Sequence, residues 1–293
     1  GVHILRNQPL VKGWARGGAL LAVLTMGLII FYLIESSLPA FLEINAGLFD
    51  PDSEWRPRSA NPSYNILPMI LATLFVSFLG VAIALPFGIG TAVFLNFYVR
   101  RKIAAFILSF IDMLAGLPSV IFGFRGLVLL VRWFETNLGM TTGECVLAAG
   151  ILLAVMLLPY IVSTSYESLQ KAEKRYMYAS LAMGISKEHT IMKVILPAIK
   201  KGILASFMLA YGRALGETMA VMMVIGNSPI YPRLFGRAQT IPALTALELG
   251  SVEYGSLHLS ALYAANVVLI VILAIVLGTG YFLQRKLKKY DEI

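Results

Sequence analysis

Six long apolar stretches separated by short polar ones dominate the chain. They run over residues 17–38, 66–97, 103–130, 145–166, 202–227 and 258–283. Each reaches the ~20 apolar residues that an α-helix needs to cross the hydrocarbon core of a bilayer. The pattern predicts an all-α membrane protein with about six transmembrane helices. The first stretch follows Arg6, Lys12 and Arg16, a signal-peptide-like arrangement, but its length from Gly17 to Leu38 predicts an uncleaved span. Two spans carry helix-distorting residues. The second holds Pro86, Gly88 and Gly90. The third holds Ala115-Gly116-Leu117-Pro118, where the missing proline N–H predicts a kink. In lipid, such a kink requires neighbouring helices or a cavity to satisfy the freed backbone groups.

Composition agrees with this reading. Of 293 residues, 58% are hydrophobic and only 14% charged, well short of the ~25% charged residues of a soluble domain. The net charge of +8 would suggest nucleic acid on a soluble protein, but the positions of the charges give another explanation. Seventeen Lys and Arg fall before span one, between spans two and three, between spans four and five, and after span six; the alternate loops hold only Arg56, Arg58, Arg132, Arg233 and Arg237. All four basic regions share one face under the six-span reading, which predicts both termini in the cytoplasm. The positive charge is thus a topology signal and a contact for anionic lipid, with no nucleic-acid partner. The lone cysteine, Cys145, excludes an intrachain disulfide and reads as a packed small residue. His3, His189 and His258 have no metal-ligand spacing, so neither a metal nor a cofactor is expected. The acid- and proline-containing segment from Asp50 to Tyr64 reads as an ordered or semi-extended loop, either solvated or part of a docking surface for an external partner.

The segment 167–201 is more than a connector. Gly184 is placed to end one short helix, because it accepts positive φ. Ser186 is placed to cap a second, with His189 at its third position, and Ile191, Val194 and Ile195 share one face of it. Pro197 is expected to end that helix before the chain re-enters the membrane. Here the chain resembles the permeases of ATP-driven (ABC) importers, whose loop reads Glu-Ala-Ala, three residues, Gly, nine residues, Ile, one residue, Leu-Pro. Tyr178-Ala179-Ser180, Gly184, Val194 and Leu196-Pro197 fall at that spacing, with Tyr178, Ser180 and Val194 as departures. The resemblance implies a type I importer permease fold, a cytoplasmic coupling loop at 167–201, and docking of Tyr178, Ala179, Ser180, Gly184, Leu196 and Pro197 at an ATPase subunit. No Gly-x-x-x-x-Gly-Lys-Ser/Thr sequence occurs, so this chain is not expected to be an enzyme, and ATP hydrolysis is expected on a separate subunit. Residues 1–16 then form a cytoplasmic N-terminal segment and 17–293 the permease domain.

Two ionisable residues lie within span five. Arg213 and Glu217 are four apart, so on a continuous helix they share a face and can pair. At ~1.5 Å rise per residue from Gly202, Arg213 sits roughly 16 Å into the bilayer, near its midplane. A charge there is costly and marks either a structural ion pair or a pathway. Arg suits a tetrahedral oxyanion because its fork donates two parallel hydrogen bonds. Gly212 and Gly216 beside it permit close approach of a neighbouring helix. Asp112 in span three is read as paired or facing water. Thr73, Ser77, Ser119 and Asn227 are either hydrogen-bonding groups on a route or helix-packing polar residues.

The run Gly212-Arg-Ala-Leu-Gly-Glu-Thr-Met-Ala-Val221, then Ile225-Gly226-Asn227, resembles the PstC-type permeases of bacterial phosphate importers, as does Leu114-Ala-Gly-Leu-Pro-Ser-Val-Ile-Phe-Gly-Phe124. The resemblance implies phosphate translocation across the cytoplasmic (inner) membrane by alternating access, with Arg213 and Glu217 on the route and Thr73, Ser119, Arg125 and Asn227 as further candidates. It implies a second, PstA-type permease subunit, two ATP-binding subunits and an external phosphate-binding protein as partners. Arg125 departs from the family's usual uncharged residue and reads as an added anion contact or a snorkelling side chain. A permease for another oxyanion or small solute, such as phosphonate, sulfate or molybdate, is the alternative.

Overall fold

The computed structural model describes residues 9–290, with side chains for 13–286. Helix α1 (Pro9–Pro39) continues through a π turn (Ala40–Ile44) and a 3-10 turn (Asn45–Phe49). A two-stranded antiparallel hairpin follows, β1 (Trp55–Arg56) pairing with β2 (Ser63–Tyr64) in the register Trp55↔Tyr64. Then come α2 (Leu67–Phe97), α3 (Arg101–Ala115), α4 (Ser119–Arg125), a π segment (Gly126–Val131), α5 (Arg132–Leu138) and the long α6 (Val146–Ala182). The remainder is α7 (Lys187–Thr190), a π segment (Ile191–Ile195), α8 (Leu196–Ala198), α9 (Lys200–Leu215), α10 (Met219–Met222), α11 (Ile241–Glu248) and α12 (Leu257–Tyr290).

Among the described residues, four helices are long and apolar enough to cross a membrane, and two bent pairs raise the number to six. The described part of the 1–16 segment, Pro9 to Arg16, forms the first turns of α1, and residues 1–8 lie outside the described residues. The third span is broken outright: α3 and the α4–α5 arm meet at 90° across Gly116-Leu117-Pro118. Pro118 sits at φ −56°, ψ 135°, an extended geometry that stops α3 and launches α4. The fifth span is shorter than the expected 202–227. It ends at Leu215, and Gly216-Glu217-Thr218 separates it from the single turn of α10. The fourth span is longer than 145–166, because no Gly or Pro interrupts the chain between Tyr160 and Gly184. One helix therefore replaces the expected span and the first of the two short helices. Cys145 is buried, and its Sγ accepts from Ala148 N at the start of α6.

The α2–α6 pair forms the spine. Its helices approach closely because glycine stands wherever a side chain would collide. A Cβ on Gly88 would lie 2.6 Å from Ile161 Cγ2, one on Gly150 2.6 Å from Leu79 Cδ2, and one on Gly80 3.0 Å from Leu153. Gly88 therefore serves packing, and α2 runs unbroken through Pro86. Val81, Ala84, Leu153, Leu157 and Ile161 are all at most 1% exposed along this seam. Helix α9 packs beside the spine and α12 packs on α9 and α1, where Gly212 admits Leu273 and Leu277 of α12 at 3.4–3.6 Å from the position of its would-be Cβ. Large apolar side chains point outward from α1, from α12 and from the α3–α5 arm, among them Leu24, Phe106, Phe110, Phe124 and Phe282. Such a surface suits an apolar solvent such as lipid, not water.

Gly88→Leu should force a side chain into Ile161 at a site with no room to relax, at a cost of about 1–3 kcal/mol or more. Gly90, two residues on, has nothing within 4 Å of its would-be Cβ. Membrane yield and thermal unfolding of the two variants are expected to separate, with Gly88→Leu poorly folded and Gly90→Ala near wild type. Equal behaviour would mean that the spine is not packed as described.

Candidate functional site

The two broken spans meet. Helix α4, beyond the first break, lies on α10, beyond the second. A Cβ on Gly123 would be 2.7 Å from Met223 Sδ and 3.0 Å from Ala220 Cα, so only glycine fits at this crossing. Gly126 is equally tight against Leu152 and Val224. The chain ends left open by the breaks find partners close by. Gly116 N donates back to Met113 O and Leu117 N to Leu114 O. Gly216 N and Glu217 N close the end of α9 on Arg213 O and Ala214 O. Tyr160 of α6 donates its hydroxyl to Ala115 O at 3.0 Å, capping α3 at the break.

The second break separates Arg213 from Glu217, so the two do not pair. Glu217 faces forward instead, and its Oε1 accepts from Ala220 N (3.4 Å) in α10. Arg213, in the last turn of α9, lies over the Tyr160 ring, with its guanidinium carbon 4.5 Å from the ring centroid. The side chain is exposed at the protein surface. A guanidinium held by a ring face spends none of its N–H donors on it, and Arg213 makes no side-chain hydrogen bond or ion pair among the described residues. One turn back along α3 and one turn on along α6, Ser163 Oγ donates to Asp112 Oδ1 (2.6 Å). Between α6 and α9, Thr164 and Ser206 share a hydrogen bond of 2.6 Å. That bond is part-buried, with Ser206 1% exposed, so the open polar face consists of Asp112 of α3, Tyr160 and Ser163 of α6 and Arg213 of α9. Its visible sequence signal is the cluster Tyr160, Ser163, Thr164 and Ser165 near the end of span four, which a reading centred on span five passes over.

The other candidates lie elsewhere. Thr73 is 3% exposed, donates to Met69 O (2.6 Å) and accepts from Ile241 N (3.0 Å). Its hydroxyl pins the start of α11 to α2, which is a packing role. Ser77 is likewise buried. Ser119 opens α4 beside the first break and is half-buried. Arg125 ends α4 exposed, with no ion-pair or hydrogen-bond partner among the described residues. Asn227 takes φ +44°, a left-handed geometry that asparagine tolerates, and donates Nδ2 to Met222 O at 2.7 Å. It lines a cavity of about 650 Å³ with Trp55, Arg56, Arg58, Gln239 and Glu248 at the hairpin end of the molecule, away from Arg213. At that end Glu248 accepts from Trp55 Nε1 (3.1 Å) and meets His258 Nε2 at 2.6 Å, so the segment from Asp50 to Tyr64 is ordered by its own buried anchors.

At the opposite, basic end, the 167–201 segment is welded to the spine. Gly184 takes φ +75° and Ser186 Oγ accepts from His189 N (3.3 Å), as the spacing requires. Ile191 and Ile195 are buried with Phe97, Leu169 and Met177. Lys187 donates to Phe97 O at the end of α2 and lies over the Tyr98 ring. Asn96 Nδ2 donates to Glu173 Oε2 (3.2 Å). Pro197 does not end the second helix: the π turn Ile191–Ile195 precedes it, and the break falls at Ile199 with a 60° bend into α9. Around Gly184 the tip exposes Tyr178 (76%), Met183 (71%), Met192 (63%) and Leu181 (47%). Ala179, Gly184 and Pro197 are also exposed, Leu196 is half-buried, and Ser180 is buried.

The Arg213–Tyr160 contact can be measured. Tyr160→Leu, Arg213→Met and their combination form a double-mutant cycle in the thermal stability of the purified protein. A coupling of about 0.5–2 kcal/mol is expected, and strict additivity would show that the guanidinium does not rest on the ring.

Residues 84–289 match the family described as binding-protein-dependent transport system inner membrane component. The chain is 35% identical to the probable ABC transporter permease protein YqgH of Bacillus subtilis, over 74% of this chain and 71% of that protein. It is 31% identical to the phosphate transport system permease protein PstC of Mesorhizobium japonicum, over 92% and 88% respectively, and 31% identical to a probable PstC of Methanocaldococcus jannaschii, over 88% of each. In fold it is similar to a chain of the MetNI methionine ABC transporter, solved in inward-facing conformations, with a TM-score of 0.60 and 17% identity over 75% of this chain and 95% of that one. The broken spans, the apolar exterior and the projecting loop are accordingly those of a type I ABC importer permease, and the chain belongs to the binding-protein-dependent transport system inner-membrane components, among their PstC-type members.

Proposed function

We propose that this chain translocates inorganic phosphate across the inner membrane as one permease subunit of an ATP-driven importer. The observation that carries the proposal is Arg213, a fixed cation at membrane depth whose donor edges are unspent because it rests on an aromatic face instead of a carboxylate. A phosphate anion in a low-dielectric passage needs such a charge, and the fork fits its oxygens two at a time. Two PstC proteins of similar length, each matched over nearly nine-tenths or more of this chain, support phosphate over another oxyanion. Glu217 holds α10 at the second break and so shapes the site from beside it. Ser119, at the start of α4, and Arg125, at its end, border the route; Thr73 and Asn227 contribute packing and the shape of the hairpin end.

The partners follow from what the chain lacks and exposes. It has no P-loop, so a separate ATPase pair supplies the energy. The apolar tip around Gly184 is the surface on which an ATPase docks, and the bonds from Lys187 and Glu173 to the end of α2 carry its movement into the spine. The exposed apolar face of the α3–α5 arm packs against a second, PstA-type permease, and the polar face formed by α3, α6 and α9 closes into a passage between the two. An external binding protein delivers phosphate at the hairpin end. The basic asymmetry orients the loop end and both termini toward the cytoplasm, and alternating access exposes Arg213 to each side in turn.

Three measurements bear on this. In proteoliposomes holding the assembled transporter, Arg213→Ala should abolish labelled-phosphate uptake without loss of assembly, and Arg213→Lys should retain little, since a point charge does not reproduce the fork. Normal uptake by Arg213→Ala would remove the site. Gly184→Val forces a β-branched residue into left-handed backbone, at about 1–2 kcal/mol, and should lower ATP-driven uptake and the stimulation of ATP hydrolysis together; both remaining normal would count against the docking role. For topology, single cysteines at the exposed positions Asn61 and Glu188, in a Cys145→Ser background, should differ in labelling by a reagent confined outside the cell. Asn61→Cys should react and Glu188→Cys should not, and the reverse pattern would invert the orientation.

A further inference from the structure

Asp112 is an ionisable side chain at membrane depth that neither packing nor helix capping explains. It is exposed, one oxygen accepts from Ser163 Oγ (2.6 Å), and the other has no partner among the described residues. On α3 it stands three residues before Ala115, the residue capped by Tyr160; on α6, Ser163 stands three residues after Tyr160. The Asp112–Ser163 pair therefore sits about 4.5 Å along the helices from the ring that carries Arg213, on the same open face. A carboxylate so close to a proposed anion site is a liability unless the anion brings a proton to it.

Building on the phosphate reading above, we infer that Asp112 is the specificity-determining acceptor of the passage and selects oxyanions that carry an O–H. At neutral pH phosphate holds at least one proton. Its bare oxygens take the Arg213 fork, and its P–OH donates to the free oxygen of Asp112. Arsenate has the same protonation pattern and passes the same test. Sulfate is tetrahedral and of similar size, but it carries no proton near neutrality. It meets Asp112 as one anion meets another, without the hydrogen bond, and is rejected by repulsion and not by shape. Ser163 occupies only one oxygen of the carboxylate, and the acceptor role belongs to the other, which has no partner among the described residues.

The test is competition for labelled-phosphate uptake by the assembled transporter in proteoliposomes, with unlabelled sulfate and arsenate as competitors. In the wild type, arsenate should compete at concentrations near those of phosphate, while sulfate should need about 100-fold more. Asp112→Asn should narrow the sulfate gap by about tenfold or more and leave arsenate unchanged; Asp112→Ser is the second variant, should the first not assemble. Ser163→Ala breaks the tie between α3 and α6 but keeps the carboxylate, and should retain the wild-type preference. An unchanged sulfate gap in both Asp112 variants overturns the inference. So does a gap narrowed as far by Ser163→Ala as by Asp112→Asn, which would make the pair a structural tie. Loss of phosphate uptake in the wild-type complex would instead overturn the transport reading beneath it.

Discussion

Within lipid, every backbone N–H and C=O must find a partner inside the protein, and this fold breaks two spans where water cannot help. The breaks at Gly116-Leu117-Pro118 and at Gly216-Glu217-Thr218 are tolerated because each is closed locally and both are then packed together. Tight turns satisfy Gly116, Leu117, Gly216 and Glu217, Tyr160 caps Ala115, and the two far segments lock through the glycine crossing at Gly123. The polar groups needed to close the breaks are the same groups that create a polar face. Tyr160 shows this most directly, since its hydroxyl serves α3 and its ring carries Arg213 from α9. Helix closure and the candidate site are one arrangement.

The spine connects that arrangement to the projecting loop. Helix α6 runs without interruption from Cys145 at its cap to the exposed tip at Tyr178, and passes Tyr160, Ser163 and Thr164 on the way. A displacement at the tip is therefore a displacement of the residues that hold Arg213 and Asp112, with no hinge between. Glu173 of α6 and Lys187 of α7 both bond to the end of α2, tying the loop and the two spine helices together at the basic end. The glycine-notched seam at Gly80, Gly88 and Gly150 leaves the two helices little freedom to slide.

Much of this is legible in the chain. The apolar runs reveal the spans, Pro118 reveals the first break, and Gly184 with Ser186 reveals the loop geometry, because each depends on local chemistry. What depends on long-range contacts is not legible. Arg213 and Glu217 share a face only if span five is one helix. Nothing between them forbids that, since Gly216 is tolerated within membrane helices; the crossing with Gly123, almost a hundred residues away, accompanies the break. Likewise Thr73 reads as a polar group on a route until Ile241 is found donating to it across 168 residues. Tyr160 goes unremarked because an aromatic residue in an apolar run looks like core. The long α6 escapes for another reason: the end of a span is set by where lipid stops, whereas a helix continues until a residue stops it.

The second helix break frees Arg213 from Glu217 and leaves it on Tyr160, where we propose that it meets the oxyanion. The most direct measurement is a cryo-electron microscopy map of the assembled transporter in lipid nanodiscs, with and without saturating arsenate, whose heavy centre is easily located. The account predicts new density within hydrogen-bonding distance of the Arg213 guanidinium, on the side away from the Tyr160 ring, with Glu217 still turned toward α10. Anion density elsewhere in the passage, with Arg213 joined to Glu217 in both maps, would contradict it.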